Sequence, residues 1–183
     1  GLNRATCPKG LVLCKAVVIM EASKGQERSL MKVRIELDPS MDEPEILIRA
    51  PQLTEEIAQL DKPKNVHTLG RLEATDVEKQ LNDADVFVFP SLTEGFSNAM
   101  LEAMAHGLPI IATDVGAATD MIENCGGTVV SIHDVSAMQS ALNNMNKPET
   151  RKAMSEWNIN KVKQCYEYNQ VIEKLFHVYE EAI

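Results

Sequence analysis

Residues 86–89, Val-Phe-Val-Phe, form a run that is apolar at every position rather than at alternate ones. Such a strand must be covered on both faces, as in a parallel sheet enclosed by helices. Pro90 ends the run, a polar loop carrying Glu94 and Gly95 follows, and Asn98 to His106 is rich in helix formers before Gly107. A second apolar run, Pro109 to Thr113, then begins. Strand, loop, helix and strand in this order make a β-α-β unit. Helix N-termini present N–H groups without intrahelical acceptors and a partial positive charge. The amides of Gly95, Phe96, Ser97 and Asn98 are therefore a candidate cradle for an anion such as a phosphate. Two carboxylates flank it, Glu94 in the loop and Glu102 about one turn into the helix.

Glu94, seven residues, then Glu102, set in the phrase EGFSNAMLEAMAHGLPIIATDVG, resembles the E-x7-E signature of the retaining glycosyltransferases with the GT-B fold, the group 1 glycosyl transferases. The resemblance covers approximately residues 16–183 and is strongest from Asp85 to Gly116. It implies a chain similar to the C-terminal, nucleotide-sugar-binding half of such an enzyme. By this likeness Glu94 is the catalytic candidate, contacting hydroxyls of the transferred sugar and stabilising positive charge at the anomeric carbon. Glu102 would hold the ribose hydroxyls, since an ionised carboxylate accepts two hydrogen bonds well. Lys24 and the amides of Gly95 to Asn98 would hold the diphosphate, and Gly70 would lie beside the base. One departure stands out: Met20 and Glu21 occupy positions where the family usually has Gly-Arg. A glutamate there repels a phosphate that an arginine would attract.

The rest of the composition fits a small-molecule partner. A chain of 183 residues with 44% hydrophobic content can bury one sizeable core. Its formal charge of −9 disfavours broad nucleic-acid or anionic-membrane binding. Cys7, Cys14, Cys125 and Cys165 are widely spaced without a metal-like grouping, which suits reduced thiols in the cytoplasm, and no metal or cofactor is expected. No stretch reaches the roughly 18 apolar residues of a bilayer span. Membrane association would have to come through parts of a longer protein.

Taken in order, residues 1–10 read as a linker and 11–183 as one domain with closing helices over 148–183. Strands are expected at Ala16 to Met20, Glu45 to Arg49, Val66 to Leu69, Asp85 to Phe89, Pro109 to Thr113 and Thr128 to Ile132. The helices expected between them are Gln26 to Leu37, Leu53 to Leu60, a helix opened by a Thr75/Glu78 capping box, Asn98 to His106, Ala117 to Glu123 and Val135 to Met145. Gly126-Gly127 reads as a turn, Pro148 as the opening of another helix, and Lys161 to Ile183 as one long closing helix. His106, at a helix C-terminus, and Arg71 read as structural or surface residues.

This alternation predicts an α/β fold, a doubly wound and mostly parallel sheet flanked by helices, the Rossmann-like half of a GT-B fold. Ligands of such sheets bind at the carboxyl ends of the strands, where Lys24, Gly70, Glu94 and the 95–98 amides fall. The expected function is the donor half of a retaining hexosyltransferase that uses a nucleotide-diphosphate sugar and a glycan or lipid-linked acceptor. A chain of this length has no room for the N-terminal domain that the family's cleft requires. Two further readings stay open. One is a degenerate, noncatalytic nucleotide-binding or interaction module, favoured by the residues at Met20 and Glu21. The other is a sugar-nucleotide 2-epimerase of the same fold, which would need acid and base residues not identifiable here.

Overall fold

A computed structural model describes residues 15–19, 45–49, 66–69 and 72–181 of the chain. Expectations placed on residues 1–10, Met20, Glu21, Lys24, Gly70 and Arg71, and on the helices at 26–37 and 53–60, lie outside the described residues. Six strands form one sheet in the order β3-β2-β1-β4-β5-β6. They are β1 (Lys15–Ile19), β2 (Glu45–Arg49), β3 (Val66–Thr68), β4 (Val86–Phe89), β5 (Ile110–Thr113) and β6 (Gly127–Val130). Every pairing is parallel, with Val17 opposite Phe87 and Val88 opposite Ile111. The order reverses between β1 and β4, which is the topological switch point where such sheets open a crevice for ligands.

The unbroken apolar run of β4 is explained by its central position. Successive side chains point to opposite faces, so Phe87 and Phe89 enter one core and Val86 and Val88 another. The two rings stack with centroids 6.1 Å apart. Around them pack Leu81 of α1 (Ala74–Asp83), Met100 and Met104 of α2 (Asn98–Ala105), and Met121 and Ile122 of α3 (Ala118–Ile122). On the opposite face, Met138, Ala141 and Leu142 of α4 (Val135–Asn144) cover Val86, Val88, Ile111 and Val130. Burying each large side chain stabilises the fold by about 1.5–3 kcal/mol, so the two cores hold β4 and β5 rigidly.

Four details depart from the sequence reading. β1 begins at Lys15, one residue earlier than expected. Helix α1 begins at Ala74 after Glu73, and no side chain caps it; Asp76 and Val77 both donate their amides to Glu73 O at 3.0 Å. The capping box at Thr75 is thus not formed, because the inward pair Val77 and Leu81, one turn apart, is served by an earlier backbone turn. Gly127 belongs to β6 rather than to a turn. The turn is made by Glu123 and Asn124 with φ of 45° and 57°, while a Cβ on Gly127 would lie 2.0 Å from Ile110 O.

The last departure is where the two closing helices divide: α5 (Pro148–Cys165) runs through Lys161, where a new helix was expected to start, and α6 (Tyr168–Glu181) follows. At the break the amides of Tyr166 and Glu167 both turn back to Val162 O, at 2.9 and 3.1 Å. No glycine or proline marks this position in the sequence. Helix α5 runs against α2. Its Ser155 and Ile159 close over Gly107, whose φ of 68° lets α2 end in a Schellman turn, with Leu108 N donating to Ala103 O and Gly107 N to Met104 O. Buried Asn158 donates its side-chain amide to Leu108 O at 2.7 Å and to Gly126 O at 2.8 Å, joining the loops that lead into β5 and β6.

Candidate active site

The loop between β4 and α2 leaves the carboxyl end of the sheet beside the switch point. Ser91, buried at its base, places its hydroxyl 3.1 Å from Thr93 O and 3.3 Å from Glu94 Oε1. One hydroxyl proton is shared between these acceptors, and the contact orients the half-buried Glu94 carboxylate. From β5, Thr113 donates its buried hydroxyl to Ser91 O, so adjacent strand ends are bound together under the loop. Above it, Ala117 N donates to Gly95 O at 2.8 Å.

Ser97 is the N-cap of α2, and its side chain accepts from Met100 N at 3.3 Å. Its hydroxyl oxygen therefore caps the helix, and accepting this bond leaves the O–H proton as a donor beside the backbone amide. The amides of Asn98 and Ala99, at the start of the helix, have no intrahelical acceptor. Gly95 faces open space: a Cβ built there meets nothing within 4 Å, and its φ is not in the left-handed region. Nothing in the fold requires glycine at this position, whereas close approach of a ligand to the loop backbone would. Phe96 is 46% exposed and meets Tyr166 edge to face, with ring centroids 5.7 Å apart.

Asn98, Glu102 and His106 recur at four-residue spacing and so share one side of α2. They line a cavity of about 560 Å³, walled opposite by Leu72, Ala74, Val77, Glu78 and Leu81. The apolar wall suits a flat ring, and Glu102 and Asn98 at the helix start suit hydroxyl or amide partners. His106, as expected, caps the helix rather than the ligand cradle: its Nδ1 lies 3.0 Å from Asn82 Oδ1, joining α2 to α1.

The structure thus brings Glu94, Gly95, Phe96, Ser97, Asn98 and Glu102 together at one strand end. Lys24 and Gly70 are outside the described residues. Sequence reasoning passed over Ser91, Thr113 and Tyr166. Ser91 and Thr113 carried a faint signal as polar residues at or just past the carboxyl ends of apolar strands; Tyr166 carried none. Among the described residues no three His, Cys, Asp or Glu side chains are grouped so as to hold a metal ion, and no helix is long and apolar enough to cross a membrane.

With this geometry in place, the chain can be set beside known proteins. The family model described as Glycosyl transferases group 1 matches residues 24–147. An MMP alpha-(1->4)-mannosyltransferase of Mycolicibacterium hassiacum is 30% identical over 130 residues, covering 69% of this chain and 32% of the relative. A GDP-mannose-dependent monoacylated alpha-(1-6)-phosphatidylinositol monomannoside mannosyltransferase of Corynebacterium glutamicum is 37% identical over 89 residues, covering 45% of this chain and 23% of the relative. The chain therefore spans a third or less of these relatives. Among solved structures, an S. aureus TarM mutant in complex with Fondaparinux, alpha-GlcNAc-glycerol and UDP superposes with a TM-score of 0.74 at 21% identity, over 94% of this chain and 36% of that one. The C-terminal domain of a group 1 glycosyl transferase, LpcC, from Francisella tularensis gives 0.68 at 16% identity, over 85% and 87% of the two chains.

Proposed function

The chain belongs to the glycosyl transferases group 1, and from that premise we propose that it is the C-terminal, donor-binding half of a retaining hexosyltransferase. The observation that carries this reading is the loop Ser91–Ser97 at the carboxyl end of β4. It holds Glu94 by a buried serine, leaves Gly95 open to close approach, and ends in a helix start with unspent amides. In this reading the diphosphate of a nucleotide sugar lies against the amides of Gly95 to Asn98, with Lys24 as its cation. Those dipoles favour the leaving diphosphate over the intact donor, because negative charge grows on it as the glycosidic bond breaks. Glu94 faces the sugar and stabilises the positive charge at the anomeric carbon. Glu102 takes the ribose hydroxyls and the cavity behind it takes the base, to which the family resemblance also assigns Gly70.

The reading requires a second domain to supply acceptor contacts and the other wall of the cleft. Residues 11–183 then form the donor domain, and the acceptor is a glycan or a lipid-linked sugar on the cytoplasmic side of a membrane. The relatives' larger size and the match to an isolated C-terminal domain support this division. The donor itself is the substrate, and no cofactor enters the scheme. Incubating the protein with GDP- and UDP-hexoses, an acceptor extract and the N-terminal domain in the same chain should release nucleoside diphosphate and give a product of retained anomeric configuration. The 183-residue chain alone should bind nucleotide without transferring sugar. Inverted product, or transfer by this chain alone, would refute the assignment.

A further inference from the structure

Helix α5 connects the two ends of the sheet along one side. Asn158, Val162 and Tyr166 follow one another at four-residue spacing, so they share a stripe about 12 Å long. At one end Asn158 is fixed to Leu108 O and Gly126 O, below the strands. In the middle Val162 packs against the core that holds Phe87 and Phe89. At the far end Tyr166 arrives beside the β4–α2 loop, at the residue where α5 stops, and its ring meets Phe96 edge to face at 5.7 Å and 61°. Burial pushes the Tyr166 hydroxyl above its ordinary pKa, in keeping with a ring packed against protein.

The loop on the other side of this contact is already tied at two points. Gly95 O accepts from Ala117 N, and Ser97 Oγ accepts from Met100 N. Phe96 lies between them, with its ring nearly half exposed and outside both cores. A ring in that place adds little to the stability of the fold, yet it bears directly on the direction of the neighbouring amides. We propose that Tyr166 is a positioning residue for the donor loop: its ring holds Phe96, and through it the 95–98 amides, in the conformation that binds a diphosphate. The inference rests on the donor reading given above.

The test is calorimetric titration of UDP and GDP into the protein as wild type, Tyr166→Phe, Tyr166→Leu, Phe96→Leu and the double variant Phe96→Leu/Tyr166→Leu. Tyr166→Leu should bind about three- to tenfold more weakly and Tyr166→Phe within about twofold of wild type, since the ring edge and not the hydroxyl makes the contact. The double variant should be no weaker than Phe96→Leu, because both changes remove one interaction. Leucine retains apolar bulk at 166, and half-exposed Phe96 supplies the second variant should the first lose stability. Wild-type affinity in Tyr166→Leu, or losses that multiply in the double variant, would overturn the inference alone. Failure of the wild type to bind either nucleotide would overturn the donor reading and this inference with it.

Discussion

Gly116 and Gly95 meet backbone to backbone: a Cβ on Gly116 would lie 2.2 Å from Gly95 O and 2.5 Å from Glu94 O. The turn after β5 therefore presses on the loop after β4 at Glu94, the first glutamate of the signature, and at its neighbour Gly95. Its φ of 53° is also one that side-chain-bearing residues rarely adopt. The two glycines serve opposite purposes, since Gly116 is required by the protein's own packing and Gly95 is not.

Their substitution should separate accordingly. Gly116→Ala should cost about 1–3 kcal/mol from the left-handed backbone alone and also displace Glu94, lowering both melting temperature and nucleotide affinity. Gly95→Ala should change stability by less than about 0.5 kcal/mol while weakening UDP or GDP binding. Thermal denaturation and titration on the two variants provide the check, and equal stability loss in both would refute the distinction.

Glu102 is exposed on α2 and lines the cavity beside Asn98. Glu102→Ala should leave the melting temperature unchanged and weaken nucleoside-diphosphate binding about tenfold to a hundredfold, the worth of a charge-assisted hydrogen bond of about 1.5–3 kcal/mol. Unchanged affinity by calorimetry would remove it from the ribose site.

Asn158 acts far from the cradle, as a clamp between two loops. Asn158→Ala should destabilise the chain by about 1–3 kcal/mol, because it strips the side-chain donor from two buried carbonyls. Asn158→Asp should cost more, since a carboxylate would then face Leu108 O and Gly126 O with no proton to give. Denaturant unfolding with an unchanged m-value would register both losses, and a neutral Asn158→Asp would contradict the clamp.

Two groups near the end of α5 make stability depend on alkaline pH. The hydrogen bond to Glu123 holds the Lys161 ammonium above its ordinary pKa of 10.5, and burial holds Tyr166 above 10.0. In both cases the folded state binds its proton more tightly than the unfolded state. The stabilisation is therefore complete below those values and is lost as pH rises through the folded ones. Urea unfolding followed from about pH 9 to about pH 11 should show falling stability, with a shallower fall in Lys161→Met. A flat profile in the wild type would contradict it.

The order of strands and helices was legible in the sequence because local signals agreed with the global fold. A fully apolar, β-branched and aromatic Val86–Phe89 ended by Pro90 favours a strand covered on both sides, and Gly107 after a helical run favours a stop. The placing of Glu94 in a loop and Glu102 on the helix that follows was likewise legible, since a helix start after a polar loop is signalled locally. Tertiary structure decided the rest. Thr75 lost the capping role because Val77 and Leu81 needed only to face inward, which any start of that helix allows. Gly127 lengthened a strand instead of turning it because Ile110 O lies against its Cα. Ser91, Thr113 and Tyr166 gained their roles from partners 3 to 70 residues away, as in Ser91 with Glu94 and Tyr166 with Phe96. Periodicity reports which face of an element is buried, but it is silent on which residue of another element will lie opposite. That pairing exists only once β4, β5 and α5 have been packed against one core.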